Sequence, residues 1–255
     1  QRKPKEDFGR ILGNLICSII FFIGFLLIMV VLFVAISVVS ATDTDVLNKI
    51  DQNNVNDVMC TDVIEDNNLA SEIRVSSNNG QTFEDIQTKI NSAKENDTIL
   101  LSGEYVGNRT PINVNVNGLK FIADNYAVLD ADGLSSILKV RARDVYFEGI
   151  EFINGNSTNG GAILADSSSI IIKDCTFNND LAISGGGIYS QNSTITILNS
   201  EFRYCEANDG GAIFSDENST FSILSSKFYE NKAITGGAIH NQANLIIDDC
   251  IFEKN

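Results

Sequence analysis

The sequence predicts an all-β solenoid, a parallel β-helix of about 25 residues per coil, preceded by one apolar segment long enough to cross a membrane. Three observations carry this. Phe152, Phe177, Phe202, Phe228 and Phe252 recur at spacings of 25, 25, 26 and 24. A glycine pair followed by Ala-Ile or Ile recurs between them. Ile11 to Ser40 is apolar and without charge.

Residues 1–10 form a basic tail, predicted cytoplasmic. It holds Arg2, Lys3, Lys5 and Arg10. Asp43 and Asp45 follow the apolar segment, here taken as 11–41, so the positive-inside bias sends residues 42–255 outward. Two readings of 11–41 stand: a transmembrane anchor, because the run is longer than a signal h-region, or a signal peptide cleaved after Val39-Ser40-Ala41. The membrane partner is then the stretch 11–40. Residues 42–81, rich in Asn and Asp, read as a flexible tether.

Thr82 with Asp85 three residues on is a loose capping box, and Phe83, Ile86, Ile90 and Ala93 share one helical face. A helix over 83–95 is expected, placed to cover the open end of a solenoid over 82–255. Within each repeat, positions seven and five before the Phe are apolar: Val145 and Phe147, Ile170 and Ile172, Ile195 and Ile197, Phe221 and Ile223, Leu245 and Ile247. The residue between them varies, as strand alternation requires. Three before the Phe stand Gly149, Asp174, Asn199, Ser225 and Asp249, all turn formers. In the glycine pairs the backbone is expected to turn with positive φ. Ile112–Val116, Leu119–Ile122 and Ala127–Leu129 read as earlier, degenerate coils. Both ends of the chain read as cut from something longer, with the solenoid truncated at its C-terminal end.

The Gly-Gly-Ala-Ile motifs, together with Cys-Thr-Phe-Asn-Asn at 175–179, Phe-Tyr-Glu-Asn at 228–231 and Phe-Glu-Lys-Asn at 252–255, resemble polymorphic outer membrane protein repeats. They look most like the adhesin-like surface proteins of methanogenic archaea. The resemblance covers about residues 82–255 and departs at Phe202–Cys205, where the Asn is missing. It implies a right-handed, pectin-lyase-like β-helix, a fold that carries both adhesins and enzymes.

The formal charge is −15, and residues 1–41 carry +2, leaving −17 on the remainder. Such a surface excludes nucleic acid as a partner. Cys175 and Cys250 share a column three coils apart, too far for a disulfide, and Cys205 lies in another column. With no Cys-x-x-Cys pair, buried free thiols are expected, with no metal and no cofactor. Asp174 and Asp249 share a turn column but are also three coils apart. Asp248 and Asp249 point to opposite faces. Arg141 and Arg143 lack an acid set with calcium-ligand spacing. No catalytic residue is therefore expected.

Leu164, Tyr189, Phe214 and His240 follow the inward Ile of successive repeats and form an outward ladder. It is either a ligand-facing surface for sugar rings or a cross-strand ladder that stabilises the sheet. Asn96, Asn108, Asn156, Asn192 and Asn218 head N-glycosylation sequons. The function expected is an exported, non-enzymatic, adhesin-like protein at the cell surface, membrane-anchored or secreted, contacting cells, a host or glycans. The alternative is a β-helix polysaccharide lyase or hydrolase whose site lies in further coils.

Overall fold

The computed structural model describes residues 71–75 and 80–255. The expected basic tail, the segment 11–41 and most of the tether, with Cys17 and Cys60, lie outside them. Among the described residues no helix is long and apolar enough to cross a membrane.

The described chain is a right-handed parallel β-helix of about seven turns. Strand β1 (Glu72–Val75) pairs in parallel with β3 (Thr98–Val106), so part of the stretch read as a tether is structured. Strand β2 (Gln81–Thr82) leads into α1 (Phe83–Ser92). The Asp85 carboxylate accepts hydrogen bonds from the Thr82 amide at 2.8 Å and the Thr82 hydroxyl at 3.0 Å. Phe83, Ile86 and Ile90 are buried, as their spacing requires. The helix ends three residues earlier than expected. Ala93 is extended, and Asp97 accepts the amides of Lys94 (2.7 Å) and Ser71 (2.9 Å), which draws the chain into β3. Replacing Asp85 by Ala removes the acceptor at the helix start. We expect a loss of about 1 kcal/mol, read from urea unfolding of α1.

The early coils contain β4 (Ile112–Val114), β5 (Lys120–Asp130), β6 (Leu138–Val140) and β7 (Val145–Ile153). Beyond β7 each coil breaks its long strand in two. Repeat one holds β8 (Asn156–Asn159), β9 (Ile163–Asp166), β10 (Ser169–Lys173) and β11 (Thr176–Asn178). The next holds β12 (Leu181–Ser184), β13 (Ile188–Gln191), β14 (Thr194–Leu198) and β15 (Glu201–Arg203). Then come β16 (Ile213–Ser215), β17 (Thr220–Leu224) and β18 (Lys227–Tyr229), and finally β19 (Ile239–Asn241), β20 (Asn244–Asp248) and β21 (Ile251–Glu253). The break falls at Asp174, Asn199, Ser225 and Asp249, all with φ near +50°. These are the turn formers the spacing singled out, and short polar side chains tolerate that region best.

The pairings between coils are parallel, and from β7 onward they are in register with the sequence period: Ile170 lies between Val145 and Ile195, and Phe177 between Phe152 and Phe202. The result is one large sheet, a second sheet ordered β19-β16-β13-β9-β6-β4, and a short β8–β12 pair. The core is a stack of like side chains. Phe152, Phe177, Phe202, Phe228 and Phe252 stack ring on ring with centroids 4.9, 4.3, 4.9 and 4.7 Å apart, close to the spacing of paired strands. Burying one such side chain contributes about 2–3 kcal/mol. In the final coil Ile247 and Phe252 are more than 40% exposed.

Polar ladders also run inside the helix. Ser200 Oγ accepts the Cys175 amide at 3.1 Å, and Ser226 Oγ accepts the Ser200 amide at 3.1 Å. Ser193 and Ser219 do the same for the amides of Ser168 and Ser193. Each hydroxyl satisfies a turn amide that the ladder hydrogen bonds miss, which a buried backbone requires.

Candidate functional site

Where the chain leaves each Phe strand it turns sharply. Asn154, Asn179, Tyr204, Glu230 and Lys254, two residues after the Phe, all have φ between +51° and +59°. The next residue in each coil faces inward: Gly155, Asp180, Cys205, Asn231 and Asn255. Asn231 shows what this position does. Its Oδ1 accepts the Cys205 amide (3.0 Å), and its Nδ2 donates to the Phe202 carbonyl (3.0 Å). Asn255 repeats this on the Asn231 amide (3.0 Å) and the Phe228 carbonyl (2.9 Å). The Cys205 thiol points at the Phe177 carbonyl, 3.9 Å away.

Asp180 occupies the same position and is completely buried. Its Oδ1 accepts the Gly155 amide at 2.7 Å, while its Oδ2 is buried with no hydrogen-bond partner. Burial pushes its carboxyl well above the ordinary carboxylate range; the Gly155 and Asn178 amides pull the other way, and the charge of Asp130 adds to the rise.

Above Asp180 lies an open cleft of about 460 Å³. It draws on successive coils: Asp132 and Gly133, then Asn154 to Asn156, then Asn179 to Leu181, then Tyr204 and Glu206. Its amides are held in a chain: Asn179 Nδ2 donates to Asn154 Oδ1 (2.8 Å), and Asn154 Nδ2 donates to Asp130 Oδ1 (2.9 Å). Asp130 Oδ1 also accepts the Asp132 amide at 2.8 Å. The Tyr204 ring is 48% exposed and meets Tyr229 edge to face at 5.8 Å. No Lys or Arg lines the cleft. Donors, acceptors and an aromatic ring together suit a polyhydroxylated, uncharged ligand.

Other titratable groups are locked. On the outer face Glu148 accepts the Tyr146 hydroxyl (2.9 Å) and Lys173 Nζ (2.5 Å). That hydrogen bond to Lys173 holds Glu148 below its ordinary value, and the same bond to Glu148 holds Lys173 above its own. Pairing leaves the Glu148 carboxylate a weak base and keeps Lys173 protonated, without a free lone pair. Cys175 is pushed up to about 12 by burial, and burial raises Cys205 as well. Cys175, Cys205 and Cys250 are free thiols, and the two buried ones are not thiolate nucleophiles. Among the described residues no group of acids, His and Cys could hold a metal ion.

The ladder Leu164, Tyr189, Phe214 and His240 stands in register on adjacent strands and is half-buried. Tyr189 and Phe214 stack at 5.1 Å and 4°, and His240 meets Phe214 edge-on at 5.1 Å. The facing ring surfaces are taken up by each other. His240 Nδ1 lies 3.3 Å from Asp209 Oδ1. Asn96, Asn108, Asn156, Asn192 and Asn218 are all exposed. Asn156, however, lines the cleft, and Asn192 Nδ2 donates to Ser167 Oγ at 3.3 Å.

Residues 135–255 match the family described as "Right handed beta helix region". No curated protein matches the chain in sequence. One solved structure similar to it is a protein from Parabacteroides merdae ATCC 43184 described as a glycosyl hydrolase: 12% identity, 71% of this chain and 95% of that one, TM-score 0.51. A PL6 alginate lyase in complex with a trisaccharide follows, at 10% identity, 71% and 48% coverage, and TM-score 0.43. The alginate lyase AlyF-OU02 gives 11% identity, 72% and 49% coverage, and TM-score 0.42.

The first of these corrects the expectation that the chain is not an enzyme: the likeness is one of fold, and a protein sharing that fold carries the name of a glycosyl hydrolase, so the fold gives no ground for a non-enzyme. The expectation failed for a physical reason. It compared carboxylates only at positions up to the Phe, whereas Asp132, Asp180 and Glu206 lie just past it, in the turns that build the cleft. The Phe period, extended by three or four residues, would have drawn attention to Asp180 and Glu206.

Proposed function

We propose that the chain is a polysaccharide-directed β-helix protein that acts by hydrolysis on an uncharged glycan held in the cleft. The observation that carries this is the cleft itself: exposed Tyr204 beside Glu206, Asp132 and three asparagines. Tyr204 offers a ring to a sugar face, and the asparagines offer donors and acceptors to hydroxyls. Of the cleft's solvent-accessible carboxyl groups Glu206 is the candidate for proton transfer; Asp132 stands three coils away, about 14 Å at the strand spacing and too far to pair with it. Asp180 is excluded from that role because its Oδ2 is out of contact with solvent. A lyase acting on uronates needs cationic groups to meet the substrate carboxylates, and the cleft lining has none.

Two further readings belong to this proposal. Residues 82–255 act outside the cell, exported by way of segment 11–41. Helix α1 covers the first coil, since Phe83, Ile86 and Ile90 are its buried face.

The test is a panel of neutral and acidic polysaccharides, scored by reducing ends for hydrolysis and by unsaturated products for elimination. We expect reducing ends from a neutral glycan. Glu206→Gln should lower kcat by about a hundredfold or more if Glu206 takes part in proton transfer. Tyr204→Ala should weaken binding roughly tenfold, the worth of one aromatic contact. Unsaturated products from acidic glycans, or hydrolysis indifferent to both substitutions, would overturn the assignment.

A further inference from the structure

We propose that Asp180 stands in the inner ladder as a neutral carboxylic acid, its Oδ2 hydroxyl donating to the Phe152 carbonyl, and that losing this proton loosens the Gly155–Asn156 wall of the cleft. The inference holds whatever the cleft takes.

The ladder itself supplies the argument. At the equivalent position in later coils the two amides donate to the carbonyl of the Phe one coil back, Asn231 Nδ2 to Phe202 and Asn255 Nδ2 to Phe228, while the Cys205 thiol lies between the carbonyls of Phe177 (3.9 Å) and Arg203 (3.6 Å). By the same register the counterpart of Asp180 is Phe152, which pairs with Phe177. The acceptor half is already in place, because Oδ1 takes the Gly155 amide as Asn231 Oδ1 takes the Cys205 amide. The donor half falls to Oδ2, the one buried atom of the ladder left without a partner. An ionised carboxylate has only acceptors and would set a lone pair against a carbonyl oxygen. A protonated one supplies the acceptor and the one donor that face the Gly155 amide and the Phe152 carbonyl; the amide's second N–H, which Asn231 gives to Asn255 Oδ1 at 2.8 Å, has no counterpart in the acid.

Only the Gly155 and Asn178 amides favour a negative charge here, and burial outweighs them. From the preceding coils Asp130 and Asp132 face this corner, and from the following coil come Tyr204, the Cys205 thiol and Glu206. The nearest cation on that coil, Arg203, is engaged on the outer face with Glu151 at 2.9 Å. Burial acts in the same direction as these acids, against ionisation. On titration the Oδ2–H bond breaks and its proton passes to water; the bond to Phe152 is lost, and a buried anion remains beneath the cleft wall.

The sign of the effect follows. The folded chain keeps this proton to a higher pH than the unfolded chain, whose ordinary value is 3.8. The contribution is whole below that value and is lost as pH rises toward the folded one. Asp180→Asn keeps both halves of the ladder bond without a titrating group, as Asn231 and Asn255 do. The experiment compares urea unfolding of wild type and D180N from about pH 4 to about pH 8, a range in which an ordinary Asp is already ionised. Taking the ratio of the two cancels every other titrating group. We expect near-equal stability at the acid end. The wild-type unfolding constant should then rise against D180N by about tenfold per pH unit until the folded value is passed. Hydrogen exchange at the Gly155 and Asn156 amides, corrected for intrinsic rate, should lose protection with pH in wild type but not in D180N. A ratio that is flat with pH overturns the proposal, and so does a D180N chain markedly less stable than wild type at the acid end.

Discussion

A Gly186→Ala chain is expected to lose about 3 kcal/mol of stability, an effect set by backbone atoms that cannot step aside. A Cβ built on Gly186 would lie 2.2 Å from the Gly211 carbonyl oxygen and 2.9 Å from both the Asp180 carbonyl oxygen and the Glu206 amide nitrogen. All three are main-chain atoms of this coil or the next, so relief requires the coils to part. Gly161 and Gly211 are in the same condition, at 2.3 Å and 2.0 Å from the following glycine's carbonyl. The control is Gly187→Ala. The equivalent residues in other coils are Ala162, Ala212 and Ala238, so the position accepts a methyl, which here must relieve a 2.9 Å approach to the Ala212 carbonyl oxygen and a 3.2 Å approach to the edge of Phe202. That change should cost about 1 kcal/mol, well below Gly186→Ala. Thermal unfolding of the two variants side by side is the measurement, and equal midpoints would sink the account.

Phe202→Ala should cost about 4 kcal/mol. The ring is fully buried and lies between Phe177 and Phe228 at 2° and 4° to their planes, so its removal opens a cavity and ends two stacks at once. In a solenoid each coil touches only its neighbours, so the loss should stay local. Hydrogen exchange should show β11, β15 and β18 losing protection while β3 and β5 keep theirs. Phe202→Leu, which refills most of the space, should cost about 1.5 kcal/mol. A uniform loss across all coils would show that the helix unfolds as one unit rather than coil by coil.

The glycine pairs show how far a one-dimensional reading reaches. Their period was plain, and positive φ was the expected reason for both members. In the three Gly-Gly-Ala-Ile motifs only the first member has it, Gly160, Gly210 and Gly236 lying near +64°; in the coil read as Gly186-Gly187-Ile188 neither does, and it falls on Gly185 just ahead of them. The second member is glycine because the carbonyl of the next coil occupies the place of its Cβ. That approach depends on how closely two coils stack, which no single repeat reveals. The early coils are similar. Ala127–Leu129 and Leu119–Ile122 were legible as strands, but they join into the single strand β5 through a register shift between Ile122 and Ala127.

The sequence by itself determined the coil period, the inward Val, Ile and Phe columns, the turn positions before each Phe, and the helix that starts at Phe83 under its Thr82 cap. It could do so because a solenoid's main contacts join equal positions of adjacent repeats, so the repeat pattern is itself a contact map. The tertiary structure alone decided the rest: the cleft over 132–206, the closed approach at the second glycines, the mutual stacking of Tyr189 and Phe214, and the acid at Asp180 set among ladder amides. Those features arise from turns whose residues differ from coil to coil. Their chemistry depends on which backbone groups come to lie against them, and only the folded chain fixes that.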